Sequence, residues 1–138
     1  MTEAALACIL IPTLGGLLTL VIPRTWIKWF SQATAFLAAS DELLLPDLIV
    51  AEVIYVLESF YEVPPGEVAR LVRSVVTYPP IRCVDQALLL RALEVYETER
   101  IDFAEAYLAA SAEAAGVPGV VSFDRDLDRV PTITRIQP

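Results

Sequence analysis

Three acidic stretches, far apart in the chain, could do chemistry together. They are Pro46-Asp47-Leu48-Ile49-Val50-Ala51-Glu52, Ile101-Asp102-Phe103-Ala104-Glu105-Ala106 and Val121-Ser122-Phe123-Asp124-Arg125-Asp126. Each sets a carboxylate at or near the end of an apolar run, where burial penalises a lone charge and a shared metal ion relieves it. Carboxylates clustered in a chain without histidine suit hard, oxygen-preferring ions such as Mg²⁺ or Mn²⁺. The missing histidines also exclude a His-based triad and His-ligated zinc. Two like charges about 5 Å apart repel by roughly 3 kcal/mol at an effective dielectric of 20. Several such groups drive some of their own pKa values upward until a cation arrives. One gap stands against the set: between Glu3 and Asp41 there is no acidic residue at all.

The elements that must position these groups alternate regularly. Helical spacing predicts a helix over Gln32–Ala39, then a short apolar strand over Glu42–Leu45. Asp47 or its neighbour should cap a helix reaching Tyr61, with Val50, Val53, Ile54 and Leu57 on its apolar face. Pro64-Pro65 starts a helix over Gly66–Thr77, and Tyr78-Pro79-Pro80 breaks it. A strand over Ile81–Val84 leads to Asp85, which caps a helix over Gln86–Thr98. A further helix, Asp102–Ala115, stops at Gly116. Val120–Phe123 reads as a strand, Asp124–Arg129 as a polar turn and Thr132–Ile136 as an edge strand.

Strand–helix alternation without hairpin turns implies a mostly parallel sheet covered by helices on both faces. Ligands in such sheets bind beyond the carboxyl ends of the strands, which would bring all three acidic stretches to one edge. Each acid also has a plainer reading. Glu52 could be an ordinary first-turn acid favoured by the helix dipole. Asp102 could be only an N-cap, with Glu105 completing a capping-box-like pair. Asp124 and Asp126 could be turn residues, and Asp128 reads as solvated rather than as a ligand. Leu88–Leu90, Leu93 and Tyr96 read as core or dimer contacts.

The 138 residues are the size of one domain, and we read 1–138 as a single unit. At 56% hydrophobic residues with a mean hydropathy of +0.57, most elements should be buried on more than one face. A net charge of −8 argues against passive nucleic-acid binding through a basic patch. It leaves nucleic acid open as a substrate, because bound divalent cations can carry the missing positive charge. Cys8 and Cys83 read as free thiols of a reducing cytoplasm. Ala4–Pro23 is uncharged, about long enough to span a bilayer, and is followed by Arg24 and Lys28. Pro12 and Gly15-Gly16 weaken it as a helix, so a buried strand over Ala7–Ile11 is favoured over a membrane anchor.

The three stretches resemble the second, third and fourth acidic motifs of PIN-domain nucleases, with the VapC-type toxins of bacterial toxin–antitoxin pairs as the nearest pattern. The resemblance covers about residues 32–131. It implies a three-layer α/β/α domain with a mostly parallel central sheet, Mg²⁺- or Mn²⁺-dependent RNA cleavage, homodimerisation and inhibition by a VapB-type antitoxin. Glu52, Asp102 and Asp124 would then be the metal-centre carboxylates. Asp126, and Glu105 where the family often has Asp, would be secondary metal ligands.

The chain departs from that pattern at the family's first motif, an Asp-Thr-Asn or similar triplet ending the first strand. Leu10-Ile11-Pro12-Thr13-Leu14 stands there. The codons CTG ATA CCA ACG TTG would encode these residues, and read two bases in they give Asp-Thr-Asn-Val. We therefore expect residues up to about Phe30 to be translated out of frame, which would make the apolar segment an accident of frame. Thr13 is only a neutral oxygen donor, so a site lacking the first aspartate should bind metal weakly and cleave poorly. The readings that compete are a catalytically silent PIN-like module that still binds an antitoxin, and a membrane-tethered α/β protein.

Overall fold

A run of leucines and a proline set the first described elements. The computed structural model describes residues 42–138. Leu43–Leu45 form strand β1, and Pro46, extended at φ −67° and ψ 146°, turns the chain into helix α1, Asp47–Ser59. Val50, Val53, Ile54 and Leu57 face the core as their spacing predicts. The helix ends two residues before Tyr61 because Glu62 takes left-handed backbone (φ 53°) and the Val63 N–H returns to the Leu57 carbonyl. Helix α2 spans Pro65–Val76, with Pro65 in its first turn, where a missing N–H costs nothing.

Strand β2, Ile81–Cys83, lies parallel to β1 with Leu43 opposite Ile81 and Leu45 opposite Cys83. Asp85 caps helix α3, Gln86–Glu99, by accepting from the Leu88 N–H at 2.9 Å. Helix α4, Phe103–Ala115, ends as expected at Gly116, whose φ of +67° is the left-handed conformation glycine adopts freely. Strand β3, Gly119–Val121, pairs in parallel with β4, Thr134–Ile136. The polar turn between them is a 3-10 helix over Arg125–Arg129.

The core sits between α3, α4 and α2. Leu89, Ala92 and Leu93 of α3 have no exposed surface, and neither do Ala106 and Ala109 of α4. Alanines on that face let the two helices approach closely, and theirs is the most extensive contact between elements among the described residues. Each buried leucine contributes about 2 kcal/mol of apolar burial. Tyr96, 2% exposed, stays in this core because its hydroxyl donates to Glu58 Oε1 on α1 at 2.7 Å. Leu88 and Leu90, only partly buried, pack against the same cluster.

Both strand pairs are parallel, as the expected α/β fold requires, and among the described residues each forms a two-stranded ladder. The cap expected for α1 needs correction. Neither Asp47 nor a neighbour supplies a side-chain cap: Pro46 holds the cap position and Asp47 bonds elsewhere. Asp128 is exposed and also accepts from Arg135 at 2.8 and 2.9 Å. The strand expected over 7–11, the helix over 32–39, Cys8 and the apolar segment 4–23 lie outside the described residues. Among the described residues no helix is long and apolar enough to cross a membrane.

Candidate active site

Aspartates follow the carboxyl ends of three strands: Asp47 after β1, Asp85 after β2 and Asp124 after β3. At the last of these the chain makes two nested turns. Ser122 Oγ accepts from the Asp124 N–H at 3.0 Å, and Asp124 Oδ1 accepts from the Asp126 N–H at 2.9 Å. Both bonds form because short polar side chains can replace a backbone partner where a strand stops. They fix Asp124 while leaving its Oδ2 without a protein donor among the described residues.

The start of α4 adjoins this turn. Arg129, at the end of the 3-10 helix, donates to the Arg100 carbonyl at 2.9 Å and pairs with Asp126 at 3.1 Å. Arg100 itself holds left-handed backbone at φ 54°, which swings the chain from α3 into Asp102. Asp102 takes the N-cap position but accepts no backbone N–H, so the capping-box-like pairing with Glu105 does not form. Its carboxylate is exposed.

Glu105 reports what these groups do to one another. Partial burial raises its carboxyl above the usual range, a bond from its own backbone N–H opposes this, and the charges of Asp102, Asp124 and Asp126 raise it further. Four of the five acids singled out in the sequence thus share one electrostatic neighbourhood, supplied by the start of α4 and by the turn that follows β3. The fifth, Glu52, is not among the charges acting on Glu105. It lies on the exposed stripe of α1 between Leu48 and Tyr55, at helical spacings of four and three residues.

Asp47 is the residue sequence reasoning undervalued. Tyr107 on α4 donates its hydroxyl to Asp47 Oδ2 at 2.6 Å, fastening the start of α1 to the helix that carries Glu105. That bond, with burial and the charges of Asp47 and Asp85, pushes the Tyr107 phenol up to about 12. Asp47 Oδ1 is buried without a hydrogen-bond partner among the described residues, and the charge of Asp47 adds to burial in raising the Cys83 thiol. Asp47's position just past a strand's carboxyl end was the available signal; its resemblance to a cap obscured it.

The donor chemistry fits a hard cation, since the group is all oxygen and its charges raise Glu105. The cage is incomplete: among the described residues no three Cys, Asp or Glu side chains converge closely enough to hold an ion. The position of the family's first acid, residues 10–14, lies outside them. No curated protein matches the chain. The sequence profile of the PIN domain, however, matches residues 26–133, well over half of the molecule. The chain therefore belongs to the PIN-domain family, three-layer α/β/α proteins that are generally metal-dependent nucleases.

Proposed function

We propose that this protein is a VapC-like endoribonuclease that uses Mg²⁺ or Mn²⁺ and whose activity is weakened by the loss of the family's first aspartate. The observation that carries this is the gathering of Asp102, Asp124 and Asp126 near enough to Glu105 for their charges to add to burial in raising its carboxyl, where the first turn of α4 meets the turn after β3. Asp102 and Asp124 would hold the ion, joined by Glu52 from α1, with Glu105 and Asp126 as secondary ligands. A bound divalent ion supplies charge for a phosphate oxygen, an acidified water and a steadied leaving oxygen. The chain's own residues do the rest: the Ser122 and Asp124 turns hold one carboxylate, and the Arg129 bridge holds the start of α4 beside it.

The weakening rests on two observations. Leu10-Ile11-Pro12-Thr13-Leu14 carries no acid, and the family match begins only at residue 26. A VapB-type antitoxin and a homodimer accompany this reading as partners, in the cytoplasm. An RNase assay in Mn²⁺ tests it, comparing this chain with one carrying Asp-Thr-Asn within residues 10–14. Faint, chelator-sensitive cleavage by the first, strong cleavage by the second, and loss in both on Asp102→Ala are expected. Equal, robust cleavage by both chains would remove the weakening. Cleavage indifferent to Asp102→Ala and Asp124→Ala would remove the site.

A further inference from the structure

Ten side chains in the sequence are cationic, and Arg24 and Lys28 precede the described residues, leaving eight. Six of those eight lie within ion-pair distance of a carboxylate: Arg70, Arg73, Arg82, Arg91, Arg129 and Arg135. The remaining two, Arg100 and Arg125, have no ion-pair partner among the described residues. Both border the acidic edge, Arg100 two residues before Asp102 and Arg125 next to Asp124. The Arg129 bridge from the Arg100 carbonyl to Asp126 holds the two segments side by side. In a chain of net charge −8, Arg100 and Arg125 are exposed, close in sequence to these acids and without an ion-pair partner among the described residues, Arg125 acting by charge on Asp128. Such cations offer a polyanion the attraction that the carboxylates alone would not.

An aromatic ring stands in the same place. Phe123, between the two turn-forming residues Ser122 and Asp124, is 77% exposed, the most of any phenylalanine among the described residues. The Ser122 Oγ and Asp124 Oδ1 bonds fix the backbone on its C-terminal side, so the ring is presented from an ordered turn. Stacking on an exposed ring requires an unstacked base, which a single strand offers and a duplex does not.

We propose that Phe123, Arg100 and Arg125 position single-stranded RNA at the acidic edge: Phe123 stacks a base next to the scissile link, and the two arginines hold phosphates on either side of the carboxylates. The assignment rests on the ribonuclease reading. Val121, 63% exposed and two residues from Phe123, and Ile136, 50% exposed and paired with Val121, extend the apolar surface along the strand edge. A protein contact would use that surface too, but it gives no role to Arg100 and Arg125, exposed and without an ion-pair partner among the described residues.

Fluorescence anisotropy with a ten-nucleotide single-stranded RNA, in Ca²⁺, tests the proposal on the full chain. Phe123→Ala should weaken binding about five-fold or more, and Phe123→Trp should restore it. Arg100→Ala and Arg125→Ala should each weaken it and lower the slope of log affinity against log salt by about 0.7. Arg70→Ala, on a remote helix, should leave it unchanged, and the same RNA in duplex form should bind less tightly than the single strand. Affinity unchanged by all three site variants, in a chain that still cleaves RNA, would overturn the positioning role and leave the nuclease reading intact. A chain that neither binds nor cleaves RNA would overturn both. Loss of self-association in Phe123→Ala by light scattering, with RNA affinity intact, would assign the ring to a protein contact and overturn the proposal.

Discussion

In the helical body each cation has its anion. Arg70 pairs with Glu67 within α2, Arg73 reaches Glu97 on α3, and Arg91 holds Glu113 at 2.7 and 2.9 Å while also contacting Glu94. No charged or polar side chain is fully buried there among the described residues. The edge beyond β3 is arranged the other way: among the described residues Asp102, Glu105, Asp124 and Asp126 gather with only Arg129 paired among them, and the neighbouring Arg100 and Arg125 have no ion-pair partner. The contrast separates the parts of the chain that hold the fold from the part that departs from electrostatic satisfaction, which is where a charged ligand would restore it.

If that division is right, the largest losses come from the body. Leu93→Ala, at a site with no exposed surface, should cost about 3 kcal/mol in urea unfolding. Tyr107→Phe, at the junction of body and edge, should cost about 2 kcal/mol, because the Asp47 carboxylate loses the one donor it has among the described residues. Arg91→Ala should cost about 1 kcal/mol, since the pair is bidentate but partly solvated.

The smallest effect is the sharpest comparison. Glu113 is held below its ordinary value of 4.5, first by its bond from Arg91, so its contribution is present above that value and lost as pH falls. Glu105 is raised above 4.5, so the folded state binds the proton more tightly and ionisation costs stability as pH rises through its titration. Glu105→Gln should therefore raise Tm slightly at pH 7 and have no effect well below pH 4.5, whereas Glu113→Gln should lower Tm at pH 7. Both slopes having the same sign would break the comparison.

The body was legible because its signals are local. Pro64-Pro65, Asp85 and Gly116 mark helix ends through fixed φ, a side-chain cap and left-handed backbone, and helical spacing places the buried faces. The edge was legible as a set of acids, but not in its contacts. Asp47 looked like a cap because it opens a helix, yet Tyr107, sixty residues on, takes its carboxylate. Phe123 looked like a strand residue because it ends an apolar run, yet β3 stops at Val121 and the side-chain turn at Ser122 leaves the ring exposed. Arg100 and Arg125 are distinguished by having no ion-pair partner among the described residues, which no spacing rule in the sequence reveals.

A thermal melt with and without Mn²⁺ tests the unsatisfied edge most directly. The wild-type chain should be stabilised by the ion, by about 1.4 kcal/mol at ten times Kd. Asp102→Asn should melt higher than wild type without metal and gain less from it. A melting temperature indifferent to millimolar Mn²⁺ in wild type, with Asp102→Asn melting no higher, would contradict the account.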